Sequence, residues 1–236
     1  MTWTNKPNVR GWLVVVGATV AMMAGFGMLT TVASLMNPLE AEFGWLRADM
    51  AFAYTLASLG AAIGGPVWGH LADRAGSRSV AIGGAVVMGG GLLLLSRQSD
   101  LPTFQAIYLV MGALGFACLY SPVLAAVGLW FERRRGLAIG IVTAGGTLGQ
   151  GLIPVVLQSL LDVMTWREAL VVLGLAYLLV FTPVVALITK PPVRGAGSSA
   201  TGPQGGWDLP PTVSVAALSL AAVLCCMCMA VVANTP

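Results

Sequence analysis

The chain has 236 residues, 57% of them hydrophobic and only 9% charged, with 30 glycines and a formal net charge of +3. A mean hydropathy of +0.87 excludes a soluble domain and selects the polytopic membrane class. Net charge this small on so apolar a chain also excludes a nucleic-acid surface, so no nucleic acid is expected as a partner.

Lys6 and Arg10 precede an apolar run of 25 residues, Trp12 to Met36. Such a run exceeds the roughly 7–15 residues of a cleavable signal core, so it reads as a retained first span. Six more runs approach the ~20 residues a spanning helix needs: Met50 to Trp68, Val80 to Leu95, Phe104 to Phe131, Gly136 to Leu161, Ala169 to Thr189 and Thr212 to Val232. No lysine, arginine, aspartate or glutamate interrupts any of them. The expected fold is an all-α membrane protein. A six-span bundle over 1–190 is followed by a Gly-, Ser- and Pro-rich linker over 191–211 and a seventh span over 212–236.

Lysine and arginine favour the cytoplasmic side of short loops. The amino terminus and the connectors after spans two, four and six hold Lys6, Arg10, Arg74, Arg78, Arg133, Arg134, Arg135, Lys190 and Arg194; the other connectors hold Arg47, Arg97 and Arg167. Nine against three places the amino terminus inside, and the inner (plasma) membrane of a bacterium is the expected location.

Trp12, Trp45, Trp68, Trp130 and Trp166 stand at span ends, where an amphipathic ring favours the headgroup level. Glycine pairs at four-residue spacing, Gly60/Gly64, Gly65/Gly69, Gly136/Gly140 and Gly145/Gly149, let helix backbones approach closely. Pro66, Pro122, Pro154 and Pro183 are expected to interrupt spans two, four, five and six. Cys118, Cys225, Cys226 and Cys228 all lie in apolar runs and read as small apolar side chains; no His, Asp or Glu accompanies them, so neither metal nor cofactor is expected.

Between spans two and three, Gly69, Asp73, Arg74, Gly76 and Arg78 stand in the order Gly-x-x-x-Asp-Arg-x-Gly-x-Arg. This pattern, at this place, resembles the signature loop of the major facilitator superfamily. Trp130 to Gly140, with the run Arg133-Arg134-Arg135, followed by Gly145, Gly149, Pro154 and Trp166-Arg167, resembles its monocarboxylate transporter and oxalate/formate antiporter branch; Tyr120-Ser121-Pro122, Gly11-Trp12 and Phe43 to Arg47 fit the same branch.

The resemblance implies a secondary transporter of a small organic solute, a monocarboxylate or related organic anion, working by symport or antiport through alternating access. Such carriers have two six-span halves of three-span inverted repeats. This chain supplies one half and a seventh span. It is therefore expected to work with a missing carboxy-terminal half or a second copy of itself, within the lipid bilayer. Gly69, Asp73, Arg74, Gly76 and Arg78 would then form a cytoplasmic latch between halves, beyond what the positive-inside rule asks of two arginines. Arg133, Arg134 and Arg135 read as a cytoplasmic anchor contacting lipid phosphate. His70, the one histidine, reads as a solvated loop residue.

A path through the bilayer needs polar groups that replace water around a solute. Thr30, Thr31 and Ser34 in span one, Tyr54 and Ser58 in span two, Tyr120 and Ser121 in span four, and Thr143, Thr147 and Gln150 in span five are the candidates, Gln150 foremost. For each Thr or Ser, a bond to the carbonyl one turn back is the competing reading. Two charges that the resemblance implies are absent. The span-one lysine position is matched by Thr30, and the span-four arginine region reads Tyr108 to Gly112. An anionic solute would thus take its cationic partner from elsewhere. An enzyme is not expected, since the spans hold no Ser/His pair, paired aspartates or metal cluster. A non-transporting membrane subunit and a seven-span sensor remain as alternatives, the retinal type failing for want of a lysine in the last span.

Overall fold

The computed structural model describes residues 9–75, 77–131 and 134–188, all within the unit Met1–Pro192. The linker at 191–211, the seventh span with Cys225, Cys226 and Cys228, and Gly76, Glu132, Arg133 and Lys190 lie outside the described residues.

Among the described residues six helices are long and apolar enough to cross a membrane, and there is no strand. Span one is α1 (Val9–Leu29) continued by α2 (Thr31–Phe43); span two is α3 (Arg47–Ala75) and span three α4 (Ser77–Leu95). Span four joins α5 (Leu101–Val110) to α6 (Ala117–Trp130), span five is α7 (Arg135–Leu161), and span six joins α8 (Trp166–Ala176) to α9 (Thr182–Ile188). Local chemistry sets the ends. Gly44 stops α2 in the left-handed region at φ 67°, which costs glycine little. Asp100 caps α5 by accepting from the Thr103 amide at 2.9 Å, and Thr165 and Glu168 cap α8 reciprocally.

Spans four and six are interrupted upstream of Pro122 and Pro183, as the prolines suggest, and spans two and five are not. α3 and α7 run through Pro66 and Pro154. The breaks lie at Thr30, whose amide turns to Gly27 O at 3.2 Å, and at the π-helical turns Met111–Phe116 and Tyr177–Phe181. Neighbouring helices satisfy groups near a proline inside a bundle: the Ser34 hydroxyl donates across to Pro154 O at 3.3 Å.

Small residues hold the bundle together. On span five, a Cβ at Gly145 would sit 2.7 Å from Thr19 O, and one at Gly149 would overlap Met23 O. On span two, a Cβ at Gly60 would sit 2.7 Å from Leu109 O, and one at Gly64 would overlap Ala113 O. Span five thus docks on span one as span two docks on span four, glycine on carbonyl, at the same four-residue interval. The two three-span repeats share one packing device. Gly136 and Gly140 meet nothing within 4 Å, so that pair is not a helix contact among the described residues, and Gly65 likewise opens onto space.

Candidate functional site

Spans two and five each carry three stripes at helical spacing. The buried stripe is Ala53, Ala57, Gly60 and Gly64 on span two and Ala138, Val142, Gly145 and Gly149 on span five. A second, exposed stripe is large and apolar, with Phe52, Leu59, Ile63 and Val67 on span two answering Leu137, Ile141, Leu148 and Leu152 on span five. The third is exposed, small and neutral: Ala51, Thr55, Ser58 and Ala62 answer Gly136, Gly140, Thr143 and Thr147. The buried and the neutral stripes follow the i, i+4, i+7, i+11 spacing of one helix face, and the apolar one recurs at intervals of four, seven, eleven or fifteen residues along its own face. Their order around the axis is the same in both spans.

Where spans one and four meet, Phe26 and Phe116 touch edge to face with centroids 4.7 Å apart at 78°. Phe26 stands three residues after Met23 and Phe116 three after Ala113, the carbonyls that receive Gly149 and Gly64. Matching positions in contact lie on the axis relating the two repeats. Tyr120 stacks on Phe116 at 5.6 Å and meets Phe26 at 6.0 Å, and a Cβ at Gly146 would sit 2.6 Å from the Phe26 ring. Three spans therefore converge on this ring cluster. Sequence reasoning passed over Phe26 and Phe116, because two phenylalanines in apolar runs carry no local signal.

The expected path residues divide. Tyr54 and Tyr120 are exposed, at 38% and 36%, and so are Thr143 and Thr147, while Gln150 is half-buried on the neutral edge of span five. Thr143 donates to Ile139 O and Gly140 O, Thr147 to Thr143 O and Ser58 to Tyr54 O, the carbonyl-one-turn-back arrangement, with hydroxyl oxygens left as acceptors. Thr30 is half-buried and donates to Gly27 O at 2.8 Å. Thr31 lies apart from this face. Fully buried, it donates to Met28 O and meets the Tyr108 hydroxyl at 2.9 Å, so it pins span one to span four. The Ser121 side chain lies outside the described residues.

Of the loop motif, Gly69 lies in α3, Arg74 in its last turn and Arg78 in the first turn of α4, both arginines exposed; the Asp73 side chain and Gly76 lie outside the described residues. Arg134 and Arg135 are exposed, and Arg135 folds over Gly128, at whose Cβ position its Nε would sit 3.0 Å away.

The opposite end is cross-linked. Arg167 reaches Glu42 at 2.8 Å and the carbonyls of Ser96 and Gln98 at 3.3 Å, with its guanidinium 4.4 Å from the Trp166 ring, while Trp166 Nε1 also donates to Glu42. Spans one, three and six are tied there. Trp166 is accordingly buried at 7% exposure, more than a headgroup anchor. Arg47 pairs with Glu40 at 2.8 Å and donates to Asn37 at 3.0 Å. Among the described residues no group of His, Cys, Asp or Glu could hold a metal ion.

Residues 15–235 match the family described as Major Facilitator Superfamily. Similar proteins include the Fujikurins efflux protein of Gibberella fujikuroi, 30% identical over 78% of this chain and 40% of that protein. Monocarboxylate transporter 11 of Homo sapiens is 33% identical over 75% of this chain and 38% of its own length, and Monocarboxylate transporter 12 of Xenopus laevis 28% over 70% and 36%. The chain spans about two fifths of the length of these relatives.

Proposed function

The chain belongs to the major facilitator superfamily as an integral, multi-pass membrane protein, and from that premise we propose that it forms a six-span half of a secondary transporter for a monocarboxylate or related organic anion. The single observation that carries the reading is the pair of neutral, small-residue stripes on spans two and five. Each is exposed, and each stands beside a large apolar stripe suited to hydrocarbon. A face of Thr, Ser, Gly and Ala suits water and a moving solute; a face of Leu, Ile and Phe suits lipid.

Alternating access then has a physical basis in this half. Glycine-on-carbonyl packing makes spans one with five and two with four stiff pairs, while the irregular turns at Thr30 and Met111–Phe116 lie beside the ring cluster on the repeat axis. Tyr120 and Gln150 would bond the solute's polar end, and the Phe26–Phe116 rings would meet its carbon skeleton. No described span residue within the apolar runs carries a charge, so the counter-charge for an anion comes from a second bundle. Relatives named for monocarboxylate transport support the substrate class.

Arg74, Arg78, Arg134 and Arg135 support a cytoplasmic amino terminus. The relatives named here are fungal and vertebrate, and they lend no support to a bacterial inner membrane.

The test is uptake of radiolabelled lactate and pyruvate into proteoliposomes holding the full chain, alone and with the carboxy-terminal bundle of a monocarboxylate transporter. Saturable uptake in either preparation, lowered at least about tenfold by Gln150→Ala, a loss of roughly 1.4 kcal/mol in solute recognition, is the expected result. Absence of saturable uptake from both contradicts it.

A further inference from the structure

On the side of span three that carries Gly83 and Gly90, the surface is grooved. One hollow of about 350 Å³ is walled by Trp68, Val80, Gly83, Val87, Leu114 and Cys118, from spans two, three and four. A second, of about 410 Å³, continues past Val87 between spans three and four along Gly90, Gly91, Leu94, Ile107 and Met111. A Cβ at Gly83 or Gly90 would meet nothing within 4 Å, so both positions open onto the hollows they line. Ser79 lines the mouth of the first hollow, and Arg78 precedes it in the first turn of α4.

We propose that the first hollow is a binding site for one acyl chain of an anionic phospholipid, whose phosphate lies at the amino-terminal end of α4 beside Arg78 and Arg74. Three features fit this occupant. The hollow is apolar and within a membrane-crossing helix, where the medium is hydrocarbon. From Ser79 to Val87 the helix rises about 12 Å, close to the ~15 Å depth of one leaflet's hydrocarbon. Arg78 directly precedes Ser79 on the wall of the hollow, and Arg74 lies in the last turn of α3; both are exposed, neither pairs with a carboxylate among the described residues, and the positive end of the α4 dipole lies at the same end. Charge at the mouth and shape below it select a lipid with an anionic head, in the leaflet where these arginines lie. The site is separate from the neutral stripes and stands whether or not the chain transports a monocarboxylate.

The test is native mass spectrometry of the full chain in detergent, titrated with dioleoyl phosphatidylglycerol or dioleoyl phosphatidylcholine. Wild type is expected to retain one phosphatidylglycerol, and more tightly than phosphatidylcholine by about fivefold for each arginine engaged. Arg78→Gln should remove about fivefold of that preference and leave phosphatidylcholine retention unchanged. Gly83→Leu should lower retention of both lipids, and so should Leu114→Phe, which fills the hollow from the opposite wall. Gly90→Leu, in the second hollow, should not. Equal retention of the two lipids by wild type overturns the proposal, as does wild-type retention by folded Gly83→Leu and Leu114→Phe.

Discussion

The hydroxyls of Thr31 and Tyr108 meet at 2.9 Å between spans one and four, both side chains fully buried. Thr31 gives its proton to Met28 O at 2.7 Å, so Tyr108 is the donor of the pair. Removing the two hydroxyls is therefore unequal. Tyr108→Phe deletes a donor and leaves Thr31 satisfied, at a cost of about 0.6 kcal/mol and at most about 1.7. Thr31→Val strands a buried phenol hydroxyl and should cost about 1–3 kcal/mol. Thermal unfolding in detergent should rank Thr31→Val below Tyr108→Phe, with the double variant recovering part of the Thr31→Val loss.

Glycine substitutions separate packed from open positions. Gly149→Ala drives a methyl into the Met23 carbonyl, and Gly64→Ala into that of Ala113. Each should lower stability by about 1–3 kcal/mol through backbone displacement. Gly140→Ala meets open space and should gain up to about 1 kcal/mol from helix propensity. Melting temperatures of the three variants give the answer directly.

Arg167 should matter more to folding than Arg47. Both pair with a glutamate at 2.8 Å, but the Arg47–Glu40 side chains are 63% and 47% exposed, and the cost of losing such a pair is small. Arg167 also binds the carbonyls of Ser96 and Gln98 and covers the Trp166 ring. Arg167→Gln should lower the melting temperature clearly, and Arg47→Gln should leave it nearly unchanged. Limited proteolysis should find the connector between spans three and four opened only in Arg167→Gln.

Hydrogen bonds from Thr103 hold the Asp100 carboxyl below the usual carboxylate range. With a folded value below the unfolded one of ~3.9, its stabilisation is complete above about pH 4 and is lost as pH falls through the folded value. Melting curves against pH should show this acid step in wild type. Asp100→Asn keeps a cap and should make the step smaller, the remainder coming from Glu42 and Glu168, whose carboxyls hydrogen bonds also hold below their usual range.

Much of the bundle was legible in the sequence, because charge-free runs of spanning length and lysine/arginine asymmetry are one-dimensional signals. Gly60/Gly64 and Gly145/Gly149 were legible as close-packing pairs, but their spacing is shared by Gly136/Gly140, which packs on nothing described. Which pair touches depends on which helix face turns inward, and that is decided by neighbours far along the chain. Thr31 shows the same limit. Its neighbour Thr30 has the same hydroxyl, yet a 100° step around the helix turns one toward Tyr108 and leaves the other half-buried. Arg167 and Glu42 are separated by 125 residues, so their pairing had no local trace.

Transport through this half requires water to reach the neutral stripes of spans two and five and lipid to reach the apolar ones. Single cysteines test this in a chain whose four native cysteines are replaced, using a charged methanethiosulfonate that reacts only with water-exposed thiols. Ser58→Cys and Thr143→Cys are predicted to react, and Leu59→Cys and Leu148→Cys to stay unmodified in the membrane. Reaction at Leu59→Cys and Leu148→Cys, with Ser58→Cys and Thr143→Cys protected, would contradict it.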